Sequence, residues 1–292
     1  MKHPSADVKH SQWKLIGILA VAFSIFMFAP RSLPQRAGGK NAKPPEWKVL
    51  FDGKSIGAWR GFRKPDFPSA CWVIEDGALK RRIAPDLKKE DCGDIITRDQ
   101  YDNFELEFEW RSAPGGNSGV KYLIPEDRPA SWERVYMDLE REDLKKAGMT
   151  YKPDPEKWAK FPIGFEFQLI DDERNPDARK SPKRVTGALY DMLAPSQRPS
   201  RSAGEYNKGR ILVQGNHVEH WINGVKVLEF EMGSQALKDA IAESKFKPME
   251  GFGSTRRGHI DLQDHDTEVW FRNIRIRELI TVTWCVSRVC SR

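Results

Sequence analysis

Residues 204–230 read GEYNKGRILVQGNHVEHWINGVKVLEF. The pairs Gly215-Asn216 and Asn223-Gly224 cut this stretch into three runs, 210–214, 217–222 and 225–230. Gly and Asn tolerate the positive φ of two-residue hairpin turns, and the runs between them carry the β-branched and aromatic residues of strands. The stretch predicts an antiparallel meander. Alternation along its middle strand puts Val218, His220 and Ile222 on one face and His217, Glu219 and Trp221 on the other. A histidine between two aliphatic residues is either a hydrogen-bonded polar group inside a core or a functional group on a binding face. Taken alone, His220 fits the core reading better.

The same period of two recurs on both sides of the meander. FELEFEW at 104–110 turns Phe104, Leu106, Phe108 and Trp110 toward a core and Glu105, Glu107 and Glu109 away from it. Three carboxylates on one strand face would suit the paired acids of a glycosidase. A solvated outer face with cross-strand Glu–Arg pairs is the simpler reading. In GFEFQLI at 164–170, Phe165, Phe167 and Leu169 oppose Glu166 and Gln168. The loop PGGNSG at 114–119 offers Asn117 and Ser118 as hydrogen-bonding groups, and Lys121 follows on the returning strand. Further short strands are expected at 94–97, 186–191, 258–262 and 268–279, with a hairpin at 72–79 turning on Asp76-Gly77. Residues 125–162 break this pattern with charge and proline. They predict an inserted excursion with a helix near 132–147 capped by Ser131, and a second small helix is expected at 235–243. Many short strands with two minor helical segments predict an all-β antiparallel sandwich. No Walker loop, Rossmann fingerprint or G-x-S-x-G elbow is present.

The chain has 292 residues. Lys2, Lys9 and Lys14 precede an apolar run at 15–29, and Pro30 opens a basic, loop-like stretch to residue 45. The run is short for a membrane span and suits a signal peptide, with an N-terminal anchor tethering the chain to a membrane as the alternative. The body is therefore expected to be exported: periplasmic, secreted or held at the outer face of the inner membrane. The expected organisation is a leader at 1–30, a linker at 31–45, one domain at 46–279 and a tail at 280–292 without an assigned role. The net charge of +6 falls largely in leader, linker and tail, so no nucleic-acid partner is expected. Cysteines 71, 92, 285 and 290 lack metal-site spacing. Cys71–Cys92 and Cys285–Cys290 are candidate disulfides, with buried free thiols as the alternative.

Six blocks in order carry a resemblance: FDGK at 51–54 with Trp59, GGNSGVKY at 115–122, FEFQLIDD at 165–172, TGALYD at 186–191, GNHVEHWINGVKV at 215–227, and GHIDLQDH with VWFRNIRIREL within 258–279. Together they resemble the 3-keto-disaccharide (3-keto-glucoside) hydrolase family over residues 46–279. The resemblance implies a concanavalin A-like jelly roll of two antiparallel sheets with a small helical insertion. It also implies a carbohydrate substrate, a glycoside already oxidised at C3, in which the ketone acidifies the C2 proton. A base then removes that proton, the C1 substituent is eliminated and water adds to the enone. Such chemistry needs a base, a stabiliser for the enolate oxygen and an acid for the leaving group. The catalytic candidates are Glu166, His220 and His265, and the substrate-binding candidates are Asn117, Lys121, Gln168, Tyr190 and Gln263. Glu166, His220 and His265 are also candidate ligands for a divalent metal ion. Two other classes are open at this point, a lectin-like binding module without turnover and a conventional glycosidase.

Overall fold

The computed structural model describes residues 45–146, 148–152 and 159–280. The leader, nearly all of the linker, the tail beyond residue 280 and the Cys285–Cys290 pair lie outside the described residues. The strands are β1 (Lys48–Phe51), β2 (Trp59–Gly61), β3 (Trp72–Glu75), β4 (Ala78–Arg81), β5 (Ile95–Thr97), β6 (Phe104–Ser112), β7 (Asn117–Ile124), β8 (Phe165–Ile170), β9 (Asn207–Gln214), β10 (His217–Ile222), β11 (Val225–Glu231), β12 (His259–Leu262) and β13 (Val269–Glu278). Two antiparallel sheets result. The larger has the order β11-β10-β9-β6-β13-β4-β3 with β1 also paired to β13, and the smaller has the order β2-β5-β12-β7-β8. This is the jelly-roll sandwich the sequence predicts. Two helices, α1 (Ala130–Lys146) and α2 (Gln235–Ala242), lie among the described residues.

The meander forms as read, with Asn223 at φ 50° and Gly224 at φ 84° in its second turn. Between the sheets, Phe108 meets Phe167 edge to face at 5.7 Å, and Trp110 meets Phe167 at 6.1 Å. The chain at Gly209 runs so close to this cluster that a Cβ there would lie 2.3 Å from the Phe108 ring. Facing away from the core, Glu107 accepts from Arg275 and Glu109 from Arg272, both at 2.8 Å, while Glu105 sits between Arg210 and Arg277. The three glutamates of β6 therefore form the ion-paired outer face, not a catalytic pair.

Two expectations need correction. Ser131 lies inside α1, which already begins at Ala130 after Pro129, so it is not the cap. Ser234 does cap α2, its Oγ accepting from Leu237 N at 3.2 Å. Residues 186–191 form tight turns rather than a strand, with Leu189 making only isolated bridges to Phe167 and Leu193. Of the cysteine alternatives, Cys71–Cys92 is a disulfide.

Candidate active site

The small sheet has one face toward the core and one away from it, and the second face carries the polar residues. On β8, Phe165, Phe167 and Leu169 enter the core while Glu166 and Gln168 point out. On β7, Val120 and Tyr122 enter the core, leaving Asn117, Gly119 and Lys121 on the polar face. On β12, Ile260 and Leu262 enter the core and Asp261 does not. Register then aligns these strands, pairing Asp261 with Lys121 and Lys121 with Glu166. The next row brings Gln263, whose N–H donates to Gly119 O at 3.0 Å, beside Gly119 and Gln168.

This polar face is buried. Lys121 is 2% exposed, Asp261 0%, Gln168 1%, Gln263 4% and Glu166 7%. The end of the insertion supplies part of the cover: Pro162 O accepts from Lys121 Nζ at 3.3 Å, and the Phe161 ring lies 4.3 Å from the same ammonium. Lys121 also donates to Asp94 Oδ2 at 2.6 Å and lies 3.6 Å from Asp261 Oδ1. Burial alone would lower the Lys121 pKa, but Asp94, Asp261 and Glu166 together raise it above the ordinary lysine value. Three carboxyl groups share one ammonium. Burial, and then the charge of Asp94, holds Asp261 well above the usual carboxylate range.

Glu166 lies across Gly119, where a Cβ would come within 2.5 Å of its Oε1. Only glycine leaves room for that carboxylate. The Gln168 amide, in the orientation that satisfies both its ends, donates to Glu166 Oε1 at 3.1 Å and to Ser118 O at 3.0 Å. Burial raises the Glu166 pKa, opposed by the charges of Lys121, Lys245 and His265. A carboxyl group poised this way can take up and return a proton. Gln263 Oε1 is buried without a hydrogen-bond partner among the described residues. His265 is exposed at the rim, its Nε2 3.4 Å from Asn117 Nδ2. Tyr190 borders the site through its backbone, Tyr190 N donating to Glu166 O at 3.1 Å, and its hydroxyl donates to Asp177 Oδ2 at 2.8 Å.

His220 is not in this group. It is 0% exposed, in the core on the opposite side of the small sheet from Glu166. Its ring lies 4.6 Å from the Phe167 ring, its Nε2 pairs with Tyr122 Oη at 2.9 Å and its Nδ1 with Gly187 O at 3.1 Å. Burial lowers its pKa to about 4. Glu166, His220 and His265 therefore do not converge, and they form neither a catalytic triad nor a metal-ligand set. At Glu166 the cation with the largest effect is the Lys121 ammonium, followed by Lys245. Ligand atoms of His217, Glu219 and Glu229 lie within 4.8 Å of one another on the outer face of the large sheet, but Lys226 pairs there with both glutamates.

The family model described as a 3-keto-alpha-glucoside-1,2-lyase-like domain matches residues 46–277. The chain belongs to this family. It is 33% identical over 245 residues to a 3-keto-disaccharide hydrolase of Bacteroides thetaiotaomicron, covering 79% of this chain and 78% of that one. Its fold is similar to the crystal structure of a candidate glycosyl hydrolase from Parabacteroides distasonis, at 27% identity and a TM-score of 0.61, covering 80% of this chain and 94% of the other. A second Parabacteroides distasonis structure, at 26% identity, gives a TM-score of 0.52 over 80% of this chain and all of the other. The polar row at Asp261, Lys121 and Glu166 lies within the segment that the 3-keto-alpha-glucoside-1,2-lyase-like model matches. Sequence reading did not single out Asp94, Asp261 or Lys245. Asp261 alternates with Gln263 across Leu262, a signal that could have placed it on the polar face. Asp94 and Lys245 reach the site from loops, where no periodicity marks them.

Proposed function

We propose that this protein is a hydrolase of 3-keto-glycosides, acting at the polar face of the small sheet. The observation that carries the reading is the buried carboxyl of Glu166, raised in pKa and fixed over Gly119, in a chain that belongs to the 3-keto-alpha-glucoside-1,2-lyase-like family. In the proposed reaction the C3 ketone acidifies the C2–H bond. Glu166 takes that proton and the electron pair moves toward the ketone oxygen as an enolate, which needs a hydrogen-bond donor on this face; the side-chain amide N–H of Gln263 serves as that donor. The C1–O bond then breaks, and the leaving oxygen takes a proton from the rim, where His265 is the residue in position. Water adds at C1, giving up a proton to His265, and the proton held by Glu166 returns to C2, leaving a 3-keto sugar and the released alcohol.

Lys121 is a positioning residue in this reading. Its ammonium offsets part of the charge of the surrounding carboxylates and so limits how far the Glu166 pKa rises. An exported location is part of the same proposal, supported by the Cys71–Cys92 disulfide, since such bonds persist in oxidising compartments.

The test compares release of nitrophenol from a nitrophenyl 3-keto-glucoside and from its unoxidised parent. Turnover of the keto substrate alone, reduced about 10²- to 10⁴-fold in Glu166→Gln, is expected. As a base Glu166 must be ionised, so kcat/KM falls on acidification through a pKa above the ordinary 4.5. Turnover of the parent alone indicates a conventional glycosidase. Binding without turnover of either indicates a lectin-like module.

A further inference from the structure

The outer face of the large sheet carries a second aligned row, on the other side of the sandwich from Glu166. Register places Trp221 of β10 beside Arg210 of β9, Arg210 beside Glu107 of β6, Glu107 beside Arg275 of β13, and Arg275 beside Val49 of β1. Five strands at about 4.8 Å spacing make this row roughly 19 Å long. All five residues line one groove of about 810 Å³, within the range of roughly 300–1,000 Å³ in which proteins hold small ligands. A row of this length, crossing five strands, suits a chain better than a single compact molecule.

Its chemistry narrows the class of chain. At one end the Trp221 indole is held in place, its Nε1 donating to Glu219 Oε2 at 2.7 Å and the Arg210 guanidinium 4.7 Å from its ring centre. A pre-positioned aromatic ring offers a stacking surface at little entropic cost. At the other end Val49 is 58% exposed, an apolar side chain with no cover. Between them the charges balance: Asp52, Glu107 and Glu109 against Lys208, Arg210 and Arg275. Glu107 and Arg275 are already paired at 2.8 Å, and Arg210 is paired with Glu105. Such a lining gives no net attraction to a polyanion or a polycation. It does offer fixed carboxylate and guanidinium edges as hydrogen-bonding partners for hydroxyls, with an aromatic ring at the end of the row.

We propose that this groove binds a neutral oligosaccharide chain, laid across the five strands with one sugar ring stacked on Trp221. The site is separate from the one at Glu166 and does not depend on the chemistry assigned there. Titration calorimetry on the full chain carrying Glu166→Gln tests it, with cellohexaose, maltohexaose, xylohexaose and mannohexaose as neutral probes, the matching disaccharides, and a galacturonic acid hexamer as the charged control. At least one neutral hexamer should bind saturably and more tightly than its disaccharide. Trp221→Ala should weaken that binding about tenfold, with partial recovery in Trp221→Phe. Val49→Glu, a change at an exposed position that leaves the fold intact, should weaken the hexamer and leave the disaccharide unaffected. Absence of saturable binding by every neutral hexamer overturns the proposal. So does tighter binding of the galacturonic acid hexamer, or a neutral affinity unchanged in both Trp221→Ala and Val49→Glu. Hydrolysis of the keto substrate by the parent chain is read separately, so failure of one proposal is distinguishable from failure of the other.

Discussion

Glu166 and Phe167 are neighbours in the chain and face opposite ways, and that alternation separates the candidate site from His220. Phe167 packs on His220 in the core, while Glu166 stands on the polar face over Gly119. Two predictions belong to single residues. Gly119→Ala pushes a methyl group into the space of the Glu166 carboxylate, and a displacement of that order should lower kcat about 10²-fold with KM and secondary structure little changed. Steady-state kinetics and circular dichroism check it. The second concerns pH. His220 has a pKa of about 4 in the fold against 6.5 ordinarily. Between those values the unfolded chain binds a proton that the folded chain refuses, so stability falls as pH drops from about 6.5 to 4. The loss attributable to this residue is roughly 3 kcal/mol. Denaturant unfolding of wild type and His220→Gln across that window should show the variant with the shallower pH dependence. Equal slopes would refute it.

At the scale of elements, strand pairing is what turns separate sequence blocks into a site. The blocks at 115–122, 165–172 and 258–265 lie far apart in the chain, yet β12, β7 and β8 are adjacent strands whose register aligns Asp261, Lys121 and Glu166. The insertion matters at one end: α1 leads to the segment whose Phe161 and Pro162 cover Lys121. Helix ends follow local rules here. Ser234→Ala removes the side-chain acceptor for Leu237 N and should cost about 1 kcal/mol, measured as a shift in urea midpoint at constant m-value. Strand faces and hairpin turns were legible because period and turn chemistry are local. In the 186–191 segment the apolar Leu189 and Tyr190 look like a strand in sequence, while Gly187 at φ 85° commits the chain to a turn.

Among the described residues the two sheets are joined by side-chain packing and by the Cys71–Cys92 disulfide. Cys71 directly precedes β3 of the large sheet, and Cys92 lies shortly before β5 of the small one. Reduction, or Cys71→Ser with Cys92→Ser, should destabilise the fold by about 3 kcal/mol, seen as a lower Tm in reducing buffer for the wild type and no such response in the double variant. The sequence by itself determined the sandwich, its hairpins, the core-facing sides of the strands and the family, because these rest on periods and turns spanning a few residues. Glu166, Gln168, Asn117, Lys121, Gln263 and His265, named from sequence as site candidates, lie on or beside one polar face. Only the tertiary structure decided that His220 belongs to the core, since alternation says which residues share a face and not which face of which sheet meets the other. Likewise, only the packing of distant strands shows Asp94 and Asp261 closing on Lys121, because the burial and charge that set their protonation exist only once those strands are side by side.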